Sequence, residues 1–137
     1  MDLRGLVLDY GGVLVNSGDG GSGLEGPLVA FVRRLRRAGI RTALLSNADS
    51  VLHHSAWEEL FDAIVLAGGI GVAKPEPQSY LAAAGRIGLV PSQCVFVDDL
   101  RRNVSGAVAV GMVGVHHSSA RDTVNELEIL FGSASPG

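Results

Sequence analysis

Asp9, Ser46, Lys74 and the pair Asp98-Asp99 are the residues whose types could do chemistry together, and each follows an apolar run. Leu6-Val7-Leu8 leads into Asp9, Thr42-Ala43-Leu44-Leu45 into Ser46-Asn47, and Val95-Phe96-Val97 into Asp98-Asp99. Lys74-Pro75 comes shortly after Ala63-Ile64-Val65-Leu66, past a turn at Gly68-Gly69-Ile70-Gly71. Carboxylates gathered in one place repel, and one of them keeps its proton unless a cation compensates. A few carboxylates completed by waters and a phosphate describe a Mg²⁺ site. A hydroxyl from Ser46 and a point charge from Lys74 suit phosphoryl oxygens. Composition singles out the lysine independently: of 11 basic residues, ten are arginine and Lys74 is the only lysine. The two cations differ where a compact ammonium is needed.

These residues converge only if the elements before them are parallel strands. Met112-Val113-Gly114-Val115 adds a fifth run, and continuous apolar runs of this length suit strands buried on both faces. Helical periods lie between them. Pro27 opens a helix with Leu28, Phe31, Val32 and Leu35 on one face. Tyr80, Leu81, Ala84 and Ile87 mark a second, stopped at Gly88. Val104, Ala107 and Val108 mark a third, and Val124, Leu127 and Leu130 a fourth, with a weaker pattern over 51–60. The alternation predicts an α/β fold, a three-layer Rossmann-like core with a mainly parallel sheet. Ligands then bind beyond the carboxyl ends of the strands. The polar, glycine-rich stretch 16–23 reads as a loop and 132–137 as a frayed tail, so 1–137 is expected to be one domain.

Composition narrows the function classes. With 137 residues, 47% hydrophobic and 18% charged, the chain has a folding composition. No apolar run approaches the ~20 residues of a membrane helix, and no secretory pattern opens the chain, so no membrane partner is expected. The single cysteine, Cys94, fits a reducing, cytoplasmic location and reads as a core residue. A net charge of −3 and 5% aromatics argue against a nucleic-acid partner. The cluster Arg33-Arg34-Arg36-Arg37 then reads as a solvated face near a helix C-terminus. His53-His54 and His116-His117 are adjacent pairs whose side chains should diverge, against a zinc site. Trp57 is left open between the interior and a partner surface.

Asp9-Tyr10-Gly11-Gly12-Val13-Leu14, Ser46-Asn47, Lys74-Pro75 and Asp98-Asp99 resemble, in order, the four motifs of the haloacid dehalogenase-like (HAD) hydrolase superfamily. Residues 70–80, then 95–99 and Asn103, are similar to the amino-terminal phosphatase-type domain of soluble epoxide hydrolases. The resemblance implies that Asp9 is a nucleophile forming an aspartyl-phosphate, with Ser46, Asn47, Lys74 and Gly12 binding phosphate. It implies a Mg²⁺ site at Asp9, Asp99, Asp98 and the Gly11 carbonyl, with Asn103 orienting the acidic turn.

Two departures accompany it. The family's phosphatases carry an acid two positions after the nucleophile, where this chain has Gly11; such proton transfer is worth ~10²–10⁴-fold. The cap that usually follows the first motif is replaced by the loop 15–23. The expectation is a Mg²⁺-dependent phosphohydrolase acting on a phosphorylated small molecule or macromolecule, with self-association covering the open rim. The alternatives are a non-catalytic remnant that binds phosphate and metal and, more weakly, a dehalogenase.

Overall fold

The computed structural model describes residues 2–14, 26–48 and 57–132. The loop expected over 15–23, the histidines 53–54, most of the weak helical pattern at 51–60 and the tail from 133 lie outside the described residues.

Five strands form one sheet: β1 (Gly5–Leu8), β2 (Arg41–Ser46), β3 (Ala63–Leu66), β4 (Cys94–Asp98) and β5 (Val113–His116), in the order β3-β2-β1-β4-β5. Every neighbouring pair is parallel. The alternation of side chains along each strand divides the core in two. Leu6, Leu8, Leu44, Val95 and Val97 face α1 (Pro27–Arg37) and α5 (Ala120–Phe131), which contribute Phe31, Val32, Leu127 and Phe131. Val7, Ala43, Leu45 and Phe96 face α3 (Pro77–Arg86) and α4 (Arg101–Ala109), which contribute Tyr80, Ala83, Ala84 and Ala107. This is the expected three-layer α/β arrangement, and two-sided burial is why the central strands read as unbroken apolar runs.

Some local expectations change. The glycine-rich turn after β3 is a short helix, α2 (Ala67–Ile70), ended by Gly71 in the left-handed region at φ 78°. Leu81 and Val108 are 48% and 54% exposed, so the buried faces of α3 and α4 are rotated from the expected ones. On α3 Ser79, Tyr80, Ala83 and Ala84 are buried, and on α4 Asn103 and Ala107. A buried asparagine is invisible to a hydrophobic period. Trp57 is fully buried, edge-on to Tyr10 with ring centroids 5.7 Å apart, which resolves its place in favour of the interior.

Register sets the site. Leu8 pairs with Leu44 on one side and Val97 on the other, so Asp9, one residue on, stands level with Leu45 and Asp98. The Asp9 amide donates to Val97 O at 3.0 Å, which extends the β1–β4 pairing to the acid itself. Among the described residues, no helix is long and apolar enough to cross a membrane.

Candidate active site

The carboxyl rim of the sheet brings Asp9, Ser46, Lys74 and Asp98 together as buried polar residues, with Asp99 half-buried beside them. Lys74 arrives from the segment after α2. Its ammonium, 1% exposed as a side chain, donates to Asp9 Oδ1 at 2.8 Å and to Asp98 Oδ2 at 2.8 Å. The same nitrogen lies 5.5 Å from the centroid of the Phe96 ring. Burying an ammonium is tolerable only when it is paired and hydrogen-bonded, and here two carboxylates do both.

Asn47 spends its amide on the same segment. Its Oδ1 accepts the Lys74 backbone N–H at 2.8 Å, and its Nδ2 donates to Lys74 O at 3.1 Å. The residue expected to touch phosphate thus clamps the backbone that carries the lysine. Ser46 ends β2, and its Oγ accepts the Ala48 N–H at 3.1 Å.

Asp98 is fully enclosed and saturated with donors. Its Oδ1 accepts the Leu100 N–H at 2.9 Å, while Oδ2 accepts Lys74 Nζ and, at 3.1 Å, Asn103 Nδ2. The Leu100 bond turns the chain from β4 into α4, and the first turns of α4 deliver Asn103 back to the acid. Asn103 is held in turn by the Tyr80 hydroxyl, which donates to Asn103 O at 2.6 Å. Burial, then the Asp98 charge, pushes the Tyr80 phenol well up, so it stays a donor. The sequence marked Tyr80 only as an apolar helix position. Its signal as a supporting residue was the hydroxyl on a face directed at the site.

Asp99 turns the other way, toward Gly12. Gly12 sits at φ 80°, and a Cβ there would collide with the Asp99 carboxylate. Gly11 differs: it is exposed, its φ is not in the left-handed region, and an added Cβ would meet nothing within 4 Å. The two C-terminal histidines diverge as expected. His116 Nε2 lies 2.9 Å from Asp99 O, and His117 Nδ1 lies 2.6 Å from Thr123 Oγ1. Burial lowers the His117 pKa from its ordinary value, opposed by the Asp99 charge, so the ring is neutral at neutral pH. Cys94 is buried in the core, and burial pushes its thiol up to about 11, consistent with an inert residue.

Asp9, Asp98 and Asp99 each place a carboxylate oxygen within 4.8 Å of the others. One ammonium faces three carboxylates, so the cluster is short of positive charge. The strain shows in the acids. Burial, reinforced by Asp98, raises Asp9 to about 6 against the pull of Lys74, and burial with the Asp98 hydrogen bond and charge raises Asp99. An all-oxygen, carboxylate-rich donor set fits a hard divalent cation such as Mg²⁺, and the bare α-carbon of Gly12 leaves the Asp99 carboxylate its place.

A fold of this topology with its acids, serine and lysine on one rim defines a class, and comparison with known proteins agrees. A profile of the haloacid dehalogenase-like hydrolases matches residues 19–111, more than half of the chain. The chain belongs to the haloacid dehalogenase-like hydrolase family. It is 36% identical over 83 residues to a phosphatase of Mycobacterium tuberculosis, covering 56% of this chain and 38% of that protein. The chain therefore spans well under half of that relative's length. It superposes on an uncharacterized protein from Corynebacterium glutamicum with TM-score 0.85 and 35% identity, covering 98% of each. It also shares the fold of a family enzyme from Bacteroides thetaiotaomicron solved in complex with magnesium and inorganic phosphate. That match has TM-score 0.63 and 18% identity, and covers 85% of this chain and 94% of the other.

Proposed function

We propose that the chain is a Mg²⁺-dependent phosphohydrolase that works through an aspartyl-phosphate on Asp9. The observation that carries this reading is the Lys74 ammonium held 2.8 Å from both Asp9 and Asp98 inside a cluster of three carboxylates. In this reading Asp9 attacks phosphorus, the P–O bond to the leaving group breaks, and water later cleaves the acyl phosphate to return the carboxylate. Lys74 offsets the charge of nucleophile and phosphoryl oxygens. The Ser46 hydroxyl and the backbone at Gly12 bind those oxygens, and Asn47 keeps Lys74 at its station. Asp9, Asp99 and the Gly11 carbonyl hold the ion, with Asp98, anchored by Asn103, fixing the lysine behind them. Mg²⁺ bound there supplies neutralisation of charge on the phosphoryl group, where most phosphoryl-transfer catalysis resides.

The substrate in this reading is a phosphorylated small molecule, met by a single core domain with segment 15–23 in the place of a cap. A second copy covering the rim belongs to the same proposal, and light scattering checks it. Gly11 favours a second reading, a non-catalytic protein that keeps the phosphate and metal site for binding. Phosphate release from a panel of phosphomonoesters, with and without Mg²⁺ and beside 2-haloacids, separates the readings. The expected result is Mg²⁺-dependent phosphate release that Asp9→Asn and Asp99→Ala abolish. Release untouched by Asp9→Asn overturns the mechanism. Phosphate binding without any release selects the second reading, and halide release selects dehalogenation.

A further inference from the structure

A cavity of about 530 Å³ opens beside the acid cluster, bounded by Gly12, Val13, Asp99, His117, Ser118 and Ser119. That is the scale of a small-molecule pocket, ~300–1,000 Å³. Two of its walls, Gly12 and Asp99, are also walls of the site described above, so it is continuous with the place where phosphate chemistry would occur. Resting on the phosphohydrolase reading, we propose that this cavity seats the leaving group, and that it selects an uncharged, hydroxyl-bearing one of sugar or polyol type.

The lining carries the argument. His117 is 8% exposed and held at two points: its backbone N–H donates to Asp98 O at 2.9 Å, and Nδ1 meets Thr123 Oγ1 at 2.6 Å. His117 lines the cavity, and its Nε2 has no hydrogen-bond partner among the described residues. A rigid imidazole with one nitrogen uncommitted is a directional contact for a hydroxyl group. Ser118 adds an exposed hydroxyl, and Ser119 Oγ, which accepts the Asp122 N–H at 3.1 Å, can still donate its own proton. These groups both give and take hydrogen bonds, as vicinal hydroxyls do.

The lining also rejects alternatives. Among the described residues it holds no lysine or arginine, so a second phosphate or a carboxylate on the leaving group finds no cationic side chain to pair with. Among the described residues Val13 and Ala120 are its only apolar side chains larger than a hydrogen, too little surface to favour a long alkyl or terpenoid chain.

The test has two arms. In the first, kcat/KM is compared for a hexitol monophosphate, a hexose bisphosphate, a phosphorylated hydroxy acid and an n-alkyl phosphate. The hexitol phosphate should lead by about tenfold or more, and Ser118→Ala or His117→Gln should cut its lead over the alkyl phosphate by about five- to tenfold, the loss of one hydrogen bond. Equal rates across the panel, or a lead that neither variant reduces, overturns the proposal. Ser118 is exposed, so its variant keeps the fold even where the His117 variant does not.

The second arm does not need turnover. In Asp9→Asn with Mg²⁺, hexitol phosphate should shift the backbone amide resonances of Gly12, Ser118 and Ser119, and inorganic phosphate alone should leave the two serines unmoved. Shifts at those serines with no phosphate release from any ester would sink the phosphohydrolase reading while sparing the cavity's preference. Release from many esters with the serines silent would do the reverse.

Discussion

Replacing Asp9 by asparagine should make the metal-free protein more stable while silencing it. The Asp9 side chain is 12% exposed, and its pKa rises from 3.8 to about 6, chiefly because burial penalises the charged form. Lys74 lowers it through charge and hydrogen bond, and Asp98 raises it further. Because the folded value lies above the unfolded one, the stabilising effect of the protonated acid is complete below pH 3.8 and lost as pH climbs through 6. Above that, folding must carry an ionised carboxylate at a cost of about two pKa units, or about 3 kcal/mol. Asparagine carries no charge at any pH, and its Oδ1 can still accept from Lys74, which keeps Asp98 as its counterion. Asp9→Asn should therefore gain about 3 kcal/mol at pH 8 in EDTA, a rise in Tm of roughly 10 °C. The gain should fade toward zero near pH 4. Thermal and urea unfolding of both proteins at pH 8, 6 and 4 measures this. A variant no more stable than wild type at pH 8, or a gain that does not change with pH, refutes the electrostatic account.

Gly11→Asp should fold normally, since its Cβ meets open space and the backbone there is not left-handed. It should speed hydrolysis of alkyl phosphates far more than of nitrophenyl phosphate, by at most the ~10²–10⁴-fold of a proton transfer; equal effects on both esters would show that the wild type already has an acid. Gly12→Ala should behave in the opposite way. At φ 80° a side chain costs ~1–3 kcal/mol, and the methyl group would displace the Asp99 carboxylate. Millimolar Mg²⁺ should raise the Tm of wild type by mass action and should do so far less in this variant; an undiminished rise would remove Asp99 from the metal site.

The rim was legible in the sequence because a parallel sheet makes it so. Strands buried on both faces appear as unbroken apolar runs, and the first polar residue after each run marks a carboxyl end, as at Asp9, Ser46 and Asp98. The lone lysine stood out because every other basic residue is arginine. Residues whose importance lies in direction rather than type were not legible in the apolar pattern. Periodicity passed over Asn103, which entered only through the family resemblance, and it marked Tyr80 as an apolar position without its hydroxyl, because a hydrogen bond into the site leaves no trace in such a pattern. Asn47 looked like a neighbour of the phosphate-binding serine, and only the packing of the β2 end against the segment after α2 turns its amide onto Lys74. The difference between Gly11 and Gly12 is the clearest case. Adjacent and identical in the chain, one has open space off its α-carbon and the other has Asp99, 87 residues further along the chain. Residue type and spacing determine which chemistry the chain carries. Contacts between residues far apart in sequence decide which atoms are free to perform it, because they form only when the strands pair.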